Sequence, residues 1–176
     1  MKHPAHQVRE LLDYDPETGL LTWRERKLRA GYECYDRSWN TQWAGRVTGT
    51  LEKKTGYLRI TIYGKQYFAH NVIWVWMTGK WPDSLTDHED TNKANNRWSN
   101  LRLATPMQNN ANVGLIASNK SGFKGVHWNK ARRKWEAAIQ INRSHKTLGR
   151  FDTAEVAHAA YMAAAIKAFG EFARAS

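Results

Sequence analysis

The chain has 176 residues, of which 41% are hydrophobic, enough for one domain or two small ones with a buried core. No apolar run approaches the roughly 18 residues that a membrane helix needs, and the first residues lack the apolar stretch of a signal peptide. The single cysteine, Cys34, excludes an intramolecular disulfide and a cysteine-rich zinc site. We therefore expect a cytoplasmic protein without membrane contact, and the sequence implies no protein partner.

The protein is strongly basic. Lysine and arginine number 27 against 16 aspartate and glutamate residues, a net charge of +11. Such an excess is typical of proteins that bind a polyanion, although a solubilising basic surface is the alternative. The excess is greatest in residues 117–176, which carry 11 basic and 4 acidic side chains. Tryptophans that alternate with cations can stack on the bases of a nucleic acid, but most of the nine tryptophans are expected in the core.

The first 78 residues predict short strands and helices. Residues 57–63 alternate between apolar and polar side chains, which is typical of a half-buried strand. Residues 24–50 are basic and irregular, and their pattern favours no element. His70 opens an apolar helix and is expected to be structural. In chain order the predicted elements are a helix over 7–12, a strand over 20–23, a hairpin over 57–69 and a helix over 70–78.

The middle of the chain predicts a strand, a loop, a second strand and a helix. Residues 92–112 contain 7 asparagines in 21 positions. This is more than a purely structural segment is expected to contain. Thr105 is a suitable N-cap, Pro106 suits the first helical position, and Gln108 completes a capping box. This arrangement places Asn109 in the first turn of the helix.

Side chains that suit metal-assisted hydrolysis lie on these elements. Asp87 and His88 put a carboxylate and an imidazole together on the first strand, and Asn109 adds an amide oxygen. Hard oxygen ligands suit Mg²⁺, and a neutral histidine can take a proton from an attacking water. Asn100 can hydrogen-bond either the loop or His88, while Arg102 can clamp a phosphate or pair with a local acid. Each feature alone is more often a surface feature, but their combination favours a site.

Residues 7–112 resemble the HNH nuclease family, in its phage-type group related to homing endonucleases. The resemblance lies in the Asp-His pair, in NNR followed by NLR, and in the helix-opening TPMQN. It implies an HNH nuclease domain over 1–112, with a ββα-metal core over about 84–112. Such domains cleave DNA phosphodiester bonds with one divalent metal.

The same resemblance assigns roles to four residues. It implies that Asp87 and Asn109 are the metal ligands, that His88 is the general base, and that Asn100 supports the loop. Other branches of the family often have histidine at the last position. The asparagine here favours Mg²⁺ or Mn²⁺ over Zn²⁺.

After a linker over 113–120, residues 121–176 predict a three-stranded antiparallel sheet packed on one helix. The strands are expected over 123–128, 134–141 and 145–148. A helix is expected from a cap at Thr153 to Gly170. Alternation in the second strand leaves one face apolar towards the helix and the other polar. A polar sheet face can enter the major groove of DNA, although a solvated face is the alternative.

This module resembles the Apetala-2/ethylene-response-factor DNA-binding domain. The matching stretches are SGFKGVHW, KWEAAIQ, LGRFDTAEVAHAAY and GEFA. Several arginines and a tryptophan of the plant family are replaced here, so the target sequence of plant members does not transfer. The resemblance implies DNA contacts from the sheet at Lys124, His127, Asn129, Lys134, Gln140, His145 and Thr147.

The sequence therefore predicts an α+β, two-part DNA endonuclease of a phage or prophage that acts on double-stranded DNA in the host cytoplasm. Homing-type cleavage, by nicking or by double-strand cutting, is the favoured hypothesis. Two alternatives stay open. One is a DNA-binding regulator that does not cleave. The other is a phage nuclease of low specificity for packaging or host-DNA degradation.

Overall fold

The computed structural model describes residues 3–115 and 118–175. It is a mixed structure of helices and small sheets in two compact units, the first ending at Leu103 and the second beginning at Ala104. No helix in these described ranges is long and apolar enough to cross a membrane. The elements up to the boundary are α1 (Ala5–Leu11), β1 (Leu12–Asp15), β2 (Leu20–Trp23), α2 (Glu33–Trp43), β3 (Val47–Thr48), β4 (Thr50–Leu51), β5 (Leu58–Ile62), β6 (Lys65–Phe68), α3 (Ala69–Thr78), β7 (Leu85–His88) and β8 (Leu101–Ala104).

Three small sheets build the first unit. Strands β1, β2 and β3 form one antiparallel sheet, β4, β5 and β6 form a second, and β7 pairs with β8. The predicted alternation in β5 is confirmed, because Ile60 and Ile62 are only 2% and 1% exposed. Helix α3 ends where Gly79 adopts a left-handed conformation. The core residues shared by these elements include Val8, Leu12, Leu21, Ile60, Ile62, Val72, Ile73 and Val75.

The segment over 24–50, for which the sequence favoured no element, contains the helix α2. Its one buried side chain is Asp36, whose carboxylate accepts hydrogen bonds from the Arg29 guanidinium and from the Arg29 backbone N–H. The guanidinium holds the pKa of this carboxyl below its usual range. A helix whose buried residue is an ion-paired acid lacks the apolar periodicity by which sequence patterns identify helices.

The second unit is a three-stranded antiparallel sheet, in the order β9, β10, β11, with a helix packed against it. Ala137 and Ile139 of β10 enter a core with the small residues Ala157 and Ala165 of the last helix. This confirms the predicted orientation of the apolar face. The elements are α4 (Pro106–Asn112), β9 (Val126–Asn129), β10 (Lys134–Ile141), β11 (Ser144–Phe151) and α5 (Ala154–Phe169).

The two compact units divide between Leu103 and Ala104. The predicted domains, over 1–112 and 121–176 with a linker over 113–120, stay a prediction. Ala104 and Ala111 pack into the apolar cluster of the second unit, so α4 belongs to that unit. The capping box at Thr105 is confirmed, since its hydroxyl accepts from the backbone of Gln108 and its N–H donates to the Gln108 side chain. Part of the predicted linker, at 116–117, lies outside the described residues.

Candidate functional site

Asp87 and His88 are both buried at the end of β7, with exposed fractions of 6% and 3%. Neighbouring side chains on a strand point to opposite faces, and the two side chains contact different elements. The Asp87 carboxylate reaches Arg102 on β8, whereas the His88 imidazole reaches the asparagine-rich loop. A buried acid and a buried histidine that each have a polar partner are typical of a functional site.

Asn96 holds the His88 ring. The Asn96 Oδ1 lies 3.0 Å from His88 Nε2, and Asn96 is only 2% exposed. Because a carbonyl oxygen can only accept, Nε2 is the nitrogen that donates in this contact. Burial lowers the pKa of His88, and the hydrogen bond to Asn96 opposes this effect. The ring is therefore neutral at pH 7, as a general base must be.

Asn100 supports the loop rather than the histidine. Its Oδ1 accepts from the backbone N–H of Asp90 at 2.9 Å, and its Nδ2 donates to the Asp90 carboxylate at 2.9 Å and to the Asn95 carbonyl at 2.7 Å. The sequence left open whether Asn100 binds the loop or His88. The structure places Asn100 on the loop, and Asn96, which the sequence did not single out, on His88.

The turn between β1 and β2 packs directly against this loop. The Tyr14 hydroxyl donates to the Asn96 carbonyl at 2.8 Å, and the Trp98 N–H donates to the Pro16 carbonyl at 3.1 Å. At Gly19, where φ is +76°, an added Cβ would lie 2.5 Å from the backbone nitrogen of Arg97. Only glycine allows this approach, so the N-terminal hairpin fixes the loop that positions His88.

Arg102 is the counter-ion of Asp87. Its Nε lies 3.1 Å from the Asp87 Oδ2, and both side chains are largely buried. Of the two roles that the sequence allowed for Arg102, the structure shows pairing with a local acid. The pair places a positive charge beside the carboxylate that the sequence predicts to be a metal ligand.

His70, expected to be structural, also lies in the site. Its ring is 5.1 Å from that of His88 in an edge-on arrangement, and Tyr57 lies 5.2 Å away on another side. Burial, with a smaller contribution from His88, lowers the pKa of His70 to about 3. His70 is thus a neutral ring against the candidate base. The apolar helix around it gave no signal of this contact.

Asn109, the second predicted metal ligand, lies in the first half of α4 and is partly buried. Its N–H donates to the Thr105 carbonyl at 2.9 Å, as expected after the capping box. Helix α4 belongs to the second unit, whereas Asp87 and His88 belong to the first. The role of Asn109 as a ligand stays a prediction.

Six of the seven residues predicted to contact DNA share one face of the C-terminal sheet. Directly paired residues of antiparallel strands lie on the same face of a sheet. Side chains along β10 alternate between the two faces, so its pairs with β9 and β11 assign each residue to a face. Leu148 is an extra residue between Gly149, which pairs with Ala137, and Thr147, which pairs with Ala138. This bulge shifts the pairing by one residue, so Thr147 lies on the same face as Ala138 and Gln140. The six are His127, Asn129, Lys134, Gln140, His145 and Thr147.

Lys124 is the exception. It precedes β9, which begins at Val126 rather than near 123, and its ammonium donates to the carbonyls of Ala111 and Val113. Burial lowers the pKa of Lys124. Lys124 therefore lies outside the strand on which the sequence placed it, and its side chain satisfies carbonyls at the end of α4. A DNA contact by Lys124 stays a prediction.

The polar face carries an acid at its centre. Glu136 is 8% exposed and accepts from Arg150 Nε at 2.7 Å and from Asn129 Nδ2 at 3.1 Å. Arg150, and then Asn129, lower the pKa of Glu136. His127 Nε2 is 3.7 Å from the other carboxylate oxygen. Arg150 was not among the predicted residues, although it lies on this face and offsets the charge of Glu136.

Residues 67–111 match a protein-family model described as HNH endonuclease. This segment is therefore similar to HNH endonuclease domains. It contains Asp87, His88, Asn96, Asn100 and Asn109, so the family match and the buried cluster around His88 coincide.

Viral relatives resemble a larger part of the chain. An uncharacterised HNH endonuclease of Acanthamoeba polyphaga mimivirus is 36% identical over 121 residues, covering 68% of this chain and 62% of the relative. Protein 3.8 of Escherichia phage T7 is 36% identical over 80 residues, covering 43% of this chain and 66% of the relative. The chain thus spans slightly less than two thirds of each relative.

One solved structure is described as DNA binding and cleavage by the HNH homing endonuclease I-HmuI. The alignment covers 89% of this chain and 81% of the chain in that structure. The TM-score is 0.42 and the sequence identity is 18%.

Proposed function

We propose that the protein is a metal-dependent DNA endonuclease that hydrolyses phosphodiester bonds, with His88 as its general base. The observation that carries this proposal is the buried His88 held by Asn96 inside the segment that matches HNH endonucleases. A general base must be uncharged at the working pH and must have a defined orientation. Burial supplies the first property and the Asn96 oxygen supplies the second.

Asp87 and Asn109 are the residues that would hold the metal. A carboxylate and an amide oxygen are hard donors, which fit Mg²⁺, or Mn²⁺ in its place, better than Zn²⁺. When bound, the metal would stabilise the charge that develops on the phosphate and on its leaving oxygen. The guanidinium of Arg102 balances the Asp87 charge. Asn100 holds the loop in the shape that keeps Asn96 against His88.

The second unit would hold the enzyme on double-stranded DNA through its polar sheet face, as the Apetala-2-like sequence implies. Its exposed face residues, Gln140, His145 and Thr147, carry donors and acceptors that can reach base edges. The basic excess of residues 117–176 supports phosphate contacts. Homing-type cleavage in an infected host cell is the role that we propose, and the viral origin of the two relatives supports the infected host as its setting.

A supercoiled-plasmid assay tests the proposal. We expect nicked or linear product with Mg²⁺ and none with excess chelator. His88→Ala should keep its fold by circular dichroism and bind DNA, but should cleave about 10²–10⁴ times more slowly. A wild-type protein that binds DNA yet does not cleave with Mg²⁺ or Mn²⁺ would instead favour a regulator. A rate for His88→Ala within threefold of wild type would exclude His88 as the base.

A further inference from the structure

The first unit contains a second candidate site, outside the segment that matches HNH endonucleases. It is a groove of about 580 Å³ between α2 and the hairpin formed by β5 and β6. We call it the aromatic groove. Its principal lining residues are Arg26, Tyr35, Trp39, Trp43, Arg59 and Tyr63.

One wall of the aromatic groove is a stripe of rings along α2. Tyr35, Trp39 and Trp43 recur at every fourth position, so they lie on the same face of the helix. Tyr35 is 60% exposed and Trp43 is 40% exposed. Single exposed rings are ordinary, but rings aligned along one groove wall form the kind of surface that binds a partner.

The opposite wall is the outward face of β5 and its turn. Alternation buries Ile60 and Ile62 and leaves Arg59, Thr61 and Tyr63 facing the groove. Tyr63 is 61% exposed at the tip of the hairpin. The groove therefore has aromatic rings on both walls.

Cations stand between the rings. The Arg26 guanidinium carbon lies 3.6 Å from the centre of the Trp39 ring, and no protein group among the described residues accepts from its buried Nε. A neighbouring groove of about 630 Å³ shares Arg26, Arg29 and Tyr63 and adds Arg9, Arg24 and Lys27. Residues 23–66 contain ten lysines and arginines but four acids. The two grooves thus adjoin at these shared residues, and cations outnumber the acids Glu10 and Glu25 in the second groove.

The wall is held in place before any ligand binds. Asn40 on α2 exchanges two hydrogen bonds of 2.9 Å with the backbone of Arg26. The Arg29 guanidinium is 2.7 Å from the buried Asp36 carboxylate on the same helix. Residues 26–29 and α2 are therefore tied together, which reduces the ordering cost of binding.

We propose that the aromatic groove binds single-stranded DNA, with bases stacked on Tyr35 and Trp43 and phosphates on the arginines. Rings interleaved with cations along a groove suit single strands, because each base offers a face and each linkage offers a charge. In a duplex these faces are covered by neighbouring bases, so paired DNA cannot stack on rings inside a groove. This inference goes beyond the proposed cleavage and does not depend on it.

Fluorescence anisotropy of the full chain tests the proposal, in chelator so that no cleavage occurs. The probes are a labelled oligothymidine of about 12 nucleotides, within the usual size of such sites, and a duplex of equal length. Tyr35→Ala/Trp43→Ala should weaken binding to the single strand by about 5- to 150-fold for each ring that stacks. Its affinity for the duplex should stay within twofold of wild type.

Two controls make the result specific. Tyr35→Phe/Trp43→Phe keeps flat rings and should bind the single strand within about threefold of wild type. Tyr32→Ala removes a ring that is equally exposed but does not line the groove, and it should change nothing. An unchanged single-strand affinity in the double alanine variant would overturn the proposal. So would an equal loss in Tyr32→Ala, or a loss confined to the duplex. Plasmid cleavage by the same variants, measured separately, shows whether the endonuclease proposal stands on its own.

Discussion

His88 and Asn96 are eight residues apart and meet inside the first unit, with Nε2 and Oδ1 3.0 Å apart and both residues almost fully buried. The Asn96 backbone carbonyl accepts from the Tyr14 hydroxyl, so the same residue joins the histidine to the N-terminal hairpin. The orientation of the candidate base therefore depends on a loop whose position is set by residues far away in sequence.

Removing this contact should slow cleavage without abolishing DNA binding. We expect Asn96→Ala to reduce the rate by about 10- to 100-fold, as for other groups that orient a functional histidine. Asn96→Asp keeps an oxygen acceptor and should retain more activity. Asn92→Ala, in the same loop but exposed, is the matched control and should cleave normally. If Asn96→Ala and Asn92→Ala cleave equally well, Asn96 does not orient the base.

The buried His70 should make stability depend on pH. Its pKa is about 3 in the folded protein but near the ordinary 6.5 when unfolded, so the unfolded state binds more protons between these values. The free energy of unfolding should therefore fall as pH drops from about 6.5 towards 3, by up to about 1.4 kcal/mol per pH unit from this group.

Urea unfolding at several pH values measures this dependence. His70→Phe should flatten the curve over that range, whereas His6→Phe, at an exposed position, should keep the wild-type slope. A curve for His70→Phe as steep as that of wild type would show that other groups cause the acid sensitivity.

The two proposed metal ligands are testable by titration. Asp87→Ala and Asn109→Ala each remove one of the two proposed protein ligands, so the Mg²⁺ concentration at half-maximal cleavage should rise by about 10-fold or more in each. Asn110→Ala, the exposed neighbour on α4, should leave the titration unchanged. An unaltered Mg²⁺ requirement in both ligand variants would show that the metal is held elsewhere.

Different residues of the C-terminal sheet should contribute phosphate contacts and base recognition. Lys134→Ala should weaken binding to all duplexes alike and reduce the salt slope by about 0.9. Gln140→Ala should reduce discrimination at one base pair by roughly 1–3 kcal/mol. Binding isotherms of the full chain at several salt concentrations distinguish these effects. Equal losses on all sequences for both variants would mean that Gln140 does not read bases.

Local patterns were enough to predict several elements. The alternation in β5 and the capping box at Thr105 depend on neighbouring residues only, and both are confirmed. The contact of Asn96 with His88 was not predictable, because an asparagine-rich loop offers many equivalent amides and a distant hairpin decides which one turns inward. Helix α2 was missed for a related reason: its surface stripe is aromatic and its buried residue is an acid paired with Arg29. Lys124 was misplaced because the strand begins two residues after it, at Val126.

Mapping of DNA ends after digestion of a genomic library tests the central claim most directly, since it reports activity and specificity together. We expect breaks that require a divalent metal, that cluster at discrete sequences, and that disappear in His88→Ala although the variant still binds DNA. Metal-dependent breaks scattered without preference would favour a low-specificity nuclease over a homing enzyme. The same breaks at the same frequency from wild type and His88→Ala would contradict the assignment of this chain as an endonuclease that acts through His88.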